Sequence, residues 1–477
     1  MNIYEKRAAF KKKVMESEDM LTLVGAFDGI TARLVQHVGF DGAYMGGQAA
    51  ASSMLGVPDI GLVTATEQVK HAHDLASCID MPFLMDADTG YGNEVNAQNV
   101  MIPKLKELGM TVDVFEPDMA ALDRDFPESN PGHHYENRPD VVGVLKGTGG
   151  GKSLILNGHI DTMPFDQLDQ WVTHPLEPKI IDGKLYGRGS CDMKGGLCAA
   201  VCALDLLKEQ GVQLKGDVIV ESVIDEEGGG NGTMACIQRG YKADAAIISE
   251  PTELEVMPAH MGWLFYRIEV TGKALHSSMK WLGVNAIEKM MILMRALQEL
   301  ERKWCMEKRS AILPPPTINF GTIHGGMAGS VVADHCVLDF GLHYLPSDKD
   351  ENGLGTKVQA ELFEALDYAI RGDKWLSEHR PTIELYQLGS GYELSVDHPI
   401  VKLLEKNHLE TLGVKPVVRG CEYGSDARLL TNYGQTPTIL YGPGSIRQAH
   451  GINEYIDVEQ YLTAIEVLAK TIRDFCG

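Results

Sequence analysis

Three apolar runs in this chain end in the same kind of residue, and no other feature constrains the fold as much. SLILNG leads into His159-Ile160-Asp161, DVIVESVI into Asp225-Glu226-Glu227, and DAAIIS into Ser249-Glu250-Pro251. Apolar runs of this length read as strands buried in a sheet. In open α/β sheets ligands bind outside the carboxyl ends of the strands. The three runs therefore present a histidine and two carboxylates to one crevice. Asp192 lies in the glycine-rich stretch GRGSCDMKGG, just before the helical pattern GGLCAAVCALDLLKEQG, and His450 lies in a loop after the run TPTILY. Imidazole and carboxylate donors suit zinc, and two neighbouring ions need a carboxylate that bridges them. In an extended segment Glu226 and Glu227 point opposite ways, so one can bind metal while the other acts as a general base.

The rest of the chain alternates in the same style. Its 477 residues exceed what one hydrophobic core can organise, which predicts two to four domains. Residues 3–17 have the spacing of an amphipathic helix. The stretch from Leu21 to Phe27 reads as a buried strand, and DGITARLVQHVG, GAYMGG, TATEQVKHAHDLASCID and PFLMDADT follow as helix, strand, helix and strand. That order predicts a parallel sheet of βαβ units over residues 1–93. Residues 94–261 continue as α/β. From Gly262 the pattern shifts: WLFYRIEVTGKALHSS alternates like a sheet strand, a long helix follows, and TINFGTIHGG and HCVLDFGLHYLP are strands. Residues 262–381 therefore read as a small α+β insert, and residues 382–477 as the second part of the α/β domain.

Composition narrows the partners. A formal charge of -23 argues against nucleic acid and against anionic membrane surfaces. The nine cysteines are scattered, odd in number and without a CxxC pair, which fits a reducing cytoplasm better than a disulfide framework. The N-terminal stretch has no apolar core of a secretory signal, and no apolar run is long enough to span a bilayer.

In order along the chain, HIDTMP, GRGSCDMKGG, DEEGG, SEPT, GKALHSS and AHGINEYI resemble the motifs of the M20 metallopeptidase family, in its acetylornithine deacetylase / succinyl-diaminopimelate desuccinylase branch. The resemblance runs from about Glu94 to Gly477. It implies a zinc-hydrolase catalytic α/β domain with an inserted α+β lid or dimerisation domain, and two zinc ions per subunit, for which cobalt could substitute. His159 would bind one zinc and His450 the other, with Asp192 bridging both, Glu227 completing one site and Glu250 the other. Asp161 would hydrogen-bond His159 and fix its tautomer. Glu226 would take a proton from the nucleophilic water and pass it to the leaving amine. His276, in the insert, would help stabilise the oxyanion, in this family often at the partner's site. The Asp192–Met193 peptide is expected to be cis. Arg428 could bind a substrate carboxylate or form an ordinary salt bridge, and Asn319 could orient substrate or cap a turn. His71, His73, His133, His134, His174 and His324 read as ordinary surface or core histidines. The implied substrate is an N-acyl amino acid or short peptide, and the implied assembly a homodimer. A dipeptidase or carboxypeptidase would use the same ligands, and a catalytically impaired fusion chain is a further alternative. The family often has arginine at His343 and asparagine at Ser330, so the acyl group stays open.

A second resemblance covers residues 22 to 93. GAFDGITARLVQHVGFDGAYMGG, LGVPDIGLVTATEQV and MDADTGYGN are similar to the isocitrate lyase / phosphoenolpyruvate mutase superfamily. It implies that Asp59, Asp86 and Asp88 would lie around a magnesium ion, with Gly46 and Gly47 on the substrate side. That family is a (β/α)₈ barrel, and this piece supplies about three of the eight units. The later Lys-Cys-Gly-His pattern is absent. The expectation is an incomplete (β/α) barrel fragment with a vestigial magnesium site and no lyase or mutase activity. The two resemblances meet at GNEVNAQ, which fits either family. The helix at residues 3–17 is expected to dock where the hydrolase part lacks its first helix.

Overall fold

In the computed structural model the described residues are 21–46, 53, 65–85, 94–350 and 353–477. The helix expected at residues 3–17, the aspartates Asp59, Asp86 and Asp88, and Gly47 lie outside them.

Strands β1 (Leu23–Gly25), β2 (Gly42–Met45) and β3 (Phe83–Met85) pair in parallel in that order, linked by helices α1 (Gly29–Val38) and α2 (Ala65–Ser77). Asp28 starts α1 by accepting the Thr31 N–H, while the Thr31 hydroxyl accepts the Asp28 N–H. Gly39, at φ 90°, ends it. Ala32, Val35, Ala43, Met45 and Leu75 make a small core of their own. The strand expected from Leu21 to Phe27 is only three residues long, and Leu23 on it is exposed rather than buried. Ile30, Leu34 and Val38, spaced four apart on α1, are also exposed. Among the described residues the sheet has three strands.

The next part begins with α3 (Glu94–Glu107), β4 (Thr111–Phe115), α4 (Met119–Asp125), β5 (Asp140–Leu145) and β6 (Leu154–His159). A hairpin of β7 (Lys179–Ile181) and β8 (Lys184–Tyr186) precedes α5 (Lys194–Glu209). Then come β9 (Val218–Val223), α6 (Asn231–Gln238), β10 (Ala245–Ile248) and the short β11 (Ala259–His260).

The insert holds β12 (Gly262–Thr271), α7 (Ala286–Glu307), β13 (Thr317–Gly325), β14 (His335–Tyr344), α8 (Thr356–Gly372), α9 (Lys374–Glu378) and β15 (Thr382–Gly389). Its antiparallel sheet has the order β13-β14-β12-β15. Burial along β14 alternates residue by residue, because one face packs on α7 and α8 through Met290, Leu297, Trp304, Leu362 and Leu366. Asn285 caps α7 by accepting the Ile287 and Glu288 N–H groups. The boundary expected at residue 382 is displaced. β15 pairs with β12 from Thr382 to Gly389, so the insert ends there. TIELYQLG reads as a return to α/β only because an edge strand is polar on its open side.

The chain re-enters the body through β16 (Tyr392–Glu393), which pairs with β11 to form a two-stranded hinge. It continues with α10 (Pro399–Leu412), α11 (Ala427–Asn432), β17 (Thr438–Leu440), β18 (Tyr455–Asp457) and α12 (Val458–Cys476). The central sheet has the order β17-β10-β6-β9-β5-β4. Its first four strands are parallel, and β5 and β4 are antiparallel additions. β6, β9 and β10 are buried along their whole length, which is why they read as continuous apolar runs. Helices α5 and α12 cover one face through Leu197, Leu204, Val467, Leu468 and Ile472. Each such leucine or isoleucine stabilises the fold by about 1.5–3 kcal/mol. All nine cysteines are free thiols. Among the described residues no helix is long and apolar enough to cross a membrane.

Candidate metal centre

The carboxyl ends of β6, β9 and β10 converge because their register is aligned: Asn157 lies opposite Ile248 on one side and Glu221 on the other. β6 ends at His159. The start of α5 must come close to the end of β10 to bring Asp192 to Glu250, and two glycines permit it. A Cβ on Gly196 would collide with the Ser249 carbonyl, and one on Gly195 with that of Ser190. The Asp192–Met193 peptide is cis, as expected. Glu454, fully buried, accepts the N–H groups of Cys191 at 2.9 Å and Asp192 at 3.1 Å, and is paired with Arg188 at 2.8 Å.

Glu226 and Glu227 do not lie in an extended segment. Asp225 has φ 65°, and a turn follows it. His133 and Tyr135 hold the Asp225 carboxylate at 2.8 and 2.6 Å. His133, expected to be ordinary, therefore helps shape the turn. The two glutamates still separate, but the turn does this rather than strand alternation.

The resulting geometry is compact. Asp192 stands between the histidines, Oδ1 at 3.1 Å from His159 Nε2 and Oδ2 at 3.2 Å from His450 Nε2. Glu227 lies 3.0 Å from His450 Nε2. His159, Asp192 and Glu250 form one triad of donor atoms within 4.8 Å of one another, and Asp192, Glu227 and His450 form a second. Glu226 belongs to neither; its carboxylate is 4.0 Å from His159 Nε2. The His159 Nδ1 donor meets the backbone carbonyl of Asp161 at 3.0 Å, nearer than the Asp161 carboxylate at 3.4 Å. That carboxylate also accepts the N–H groups of Glu226 and Glu227. Asp161 thus orients the histidine largely through its main chain and the turn through its side chain.

The electrostatics favour added positive charge. Burial, then the neighbouring Asp192, pushes the Glu250 carboxyl well above its usual range. Burial does the same to Glu226, with His159 opposing and Glu250 reinforcing. Burial raises Asp192 too, but His159 and His450 outweigh it and hold that carboxyl below its usual range. Hydrogen bonds to Asp192 and Glu227 raise His450 to about 10. Crowded carboxylates interleaved with imidazoles form a donor set that fits two divalent cations sharing Asp192.

The other expected site residues lie elsewhere. His276 is exposed on the insert, bonded to Ser278, and outside both triads. Asn319 is exposed on the edge strand β13, opposite Gly341, and is not brought to the centre. Arg428 is 3% exposed and paired with Glu128 at 2.9 Å. Two further donors go to the Ser425 and Gly229 carbonyls, and the Asp426 carboxylate lies 3.7 Å away. Of the two readings of Arg428, the salt bridge is present. Glu454 and Glu128 did not stand out in the sequence; GINEYI holds the first, but nothing local marks a carboxylate that will be buried against main-chain donors.

The profile of peptidase family M20/M25/M40 matches residues 155–474, and that of phosphoenolpyruvate phosphomutase matches residues 10–164. The chain is 33% identical over 406 residues to N-formyl-4-amino-5-aminomethyl-2-methylpyrimidine deformylase of Halalkalibacterium halodurans, covering 80% of this chain and 90% of that protein. It is 32% identical over 396 residues to acetylornithine deacetylase of Proteus mirabilis, covering 82% and 92%. Among solved structures, aminopeptidase PepT of Bacillus cereus superposes with a TM-score of 0.62 at 22% identity, covering 80% of this chain and 94% of that one. The metallo-carboxypeptidase Sso-CP2 of Sulfolobus solfataricus gives 0.62 at 20% identity, covering 81% and 95%. At these identities the two structures speak for the fold alone. This chain belongs to peptidase family M20/M25/M40: it is a metallohydrolase with a dinuclear metal site, preceded by a segment like phosphoenolpyruvate phosphomutase.

Proposed function

We propose that this protein hydrolyses the linear amide bond of a small N-acyl amino compound, an N-acyl amino acid in the first instance, with two zinc ions at the centre. One observation carries the reading. Two donor triads share Asp192, and Glu226 stands beside them without belonging to either. His159 and Glu250 would hold one ion, Glu227 and His450 the other, and Asp192 both. When bound, the ions supply Lewis acidity toward the acyl oxygen and acidify water at the site. Glu226 accepts the proton of the attacking water as the new C–O bond forms. It then delivers that proton to the amine nitrogen as the C–N bond breaks. Burial suits it to this role, because a carboxyl raised from its usual range is a stronger base toward water. Asp161 keeps the turn and the His159 ring in place. The relatives named for a deformylase and a deacetylase support a small acyl group. We further read the insert as a lid and dimer-forming domain, with His276 serving the partner subunit's site.

Metal analysis of the purified chain, combined with hydrolysis of N-formyl, N-acetyl and N-succinyl amino compounds and of dipeptides, tests the proposal. Two metal ions per chain and turnover of an N-acyl compound are expected. Faster cleavage of dipeptides than of every N-acyl compound would replace the reading with a dipeptidase. A metal-loaded chain that cleaves none would end it.

A further inference from the structure

The geometry points to Arg428 as a positioning residue that holds the turn bearing Glu226 and ties that turn to the hinge of the insert. This rests on the reading of Glu226 as the base.

The turn is gripped from two sides. On one side the Asp161 carboxylate accepts the N–H groups of Glu226 and Glu227. On the other, Arg428 Nη2 donates to the Gly229 carbonyl at 2.9 Å, and the Asn130 side-chain amide donates to the Gly228 carbonyl. The same guanidinium reaches both chain crossings between body and insert. Its Nε donates to Glu128 at 2.9 Å, and Glu128 accepts the N–H of Ser390, in the link from β15 to β16, at 2.7 Å. Its Cζ lies over the Trp263 ring, 4.9 Å from the ring centre, and Trp263 is the second residue of β12. The indole has a fitted seat, because a Cβ on Gly389 or Gly424 would collide with it.

Arg428 and Glu128 are 3% and 5% exposed, so a hydrogen bond lost between them is costly. A guanidinium is also a rigid plane with donors in fixed directions. If the insert shifts, Trp263 and Ser390 move with it while Glu128 stays on the body, so the plane must turn to follow the indole and its bond to Gly229 turns with it. A cavity of about 170 Å³ bordered by Glu128, Asn130, Gly229, Trp263 and Leu388 leaves room for that motion. The position of the insert thereby sets the position of Glu226.

Amide hydrogen exchange on the full chain tests this without any substrate. The Glu226, Glu227, Gly229 and Gly230 N–H groups are all bonded, so the turn starts protected. Trp263→Leu alters only the insert side of the contact. It is expected to speed exchange across residues 226–230 by about tenfold while β9 is unchanged. Arg428→Lys keeps the charge but cannot hold Glu128 and Gly229 together, and should do the same. Exchange that rises at Ser390 but not in the turn overturns the proposal. So does a rise spread equally over β9, which would make the network a stability element only. Glu226→Gln separates this from the function: if turnover survives it the base reading fails, whatever the exchange result.

Discussion

Acid sensitivity of the hinge follows from His260 on β11. This residue is fully buried, with the Tyr392 and Trp263 rings 4.8 and 6.2 Å from its own. Its Nδ1 donates to the Met261 carbonyl at 2.9 Å, and its Nε2 lies 3.3 Å from the Ser425 nitrogen, whose N–H the neutral ring accepts, and 3.2 Å from the Ser425 carbonyl oxygen. The two carbonyls favour the protonated ring, but burial outweighs them. Burial is the largest influence, and with Arg428 nearby it lowers the imidazole from 6.5 to about 4. An unfolded chain takes up this proton near the ordinary value and the folded chain only near the lowered one. The folded state therefore keeps the full contribution above the ordinary value and loses it as pH falls toward the lowered one. The full interval corresponds to about 3 kcal/mol, and about 2 kcal/mol of that is gone by about pH 5. The assay is urea unfolding of the metal-free full chain and of His260→Gln, at about pH 7.5 and about pH 5. Glutamine keeps a donor and an acceptor but takes no proton. The parent should lose about 2 kcal/mol more than the variant between the two conditions. Equal losses in the two proteins would refute the assignment of His260 as a buried neutral ring.

Four further outcomes are expected. Glu226→Gln should lower kcat by about 10²–10⁴-fold while metal content stays at the parent level, read by elemental analysis alongside turnover. Asp192→Asn, altering the donor shared by both triads, should reduce occupancy at both sites, whereas Glu227→Gln should affect one; metal stoichiometry after dialysis distinguishes them. Glu128→Gln removes one of the two buried carboxylates beside Arg428, leaving Asp426 at 3.7 Å, and should cost about 1–3 kcal/mol, measured as a shift in the unfolding midpoint. Leu338→Ala, under α7 in the insert, should cost about 2–5 kcal/mol by the same measurement.

Much of the centre was legible because its chemistry is local. His159, Glu227 and Glu250 follow apolar strands directly, and strand ends in a parallel sheet share one edge whatever their neighbours do. The rest depended on partners distant in sequence. Arg428 left a substrate carboxylate and an ordinary salt bridge both open, because its partner Glu128 lies some 300 residues earlier. β15 carries its own alternation, but only pairing with β12 assigns it to the insert. The opposite directions of Glu226 and Glu227 were expected for the wrong reason. Strand alternation is a property of the residues themselves, whereas the turn is imposed by Asp225, which is held by His133 and Tyr135. Helices α8 and α10 did not stand out, because their polar faces dilute the apolar stripe.

The strand order of the central sheet also sets a timetable for assembly. β10 and β17 are hydrogen-bonded neighbours, yet on the order of 190 residues, including the whole insert, lie between them. At a synthesis rate of about 5–20 residues per second, the open edge of β10 waits about 10 to 40 seconds for its partner. His450 and Glu454 emerge later still. During that interval the ribosome carries a body with one bare apolar edge and, of its five candidate metal donors, only His450 missing, and this is when the nascent chain is most exposed to mispairing.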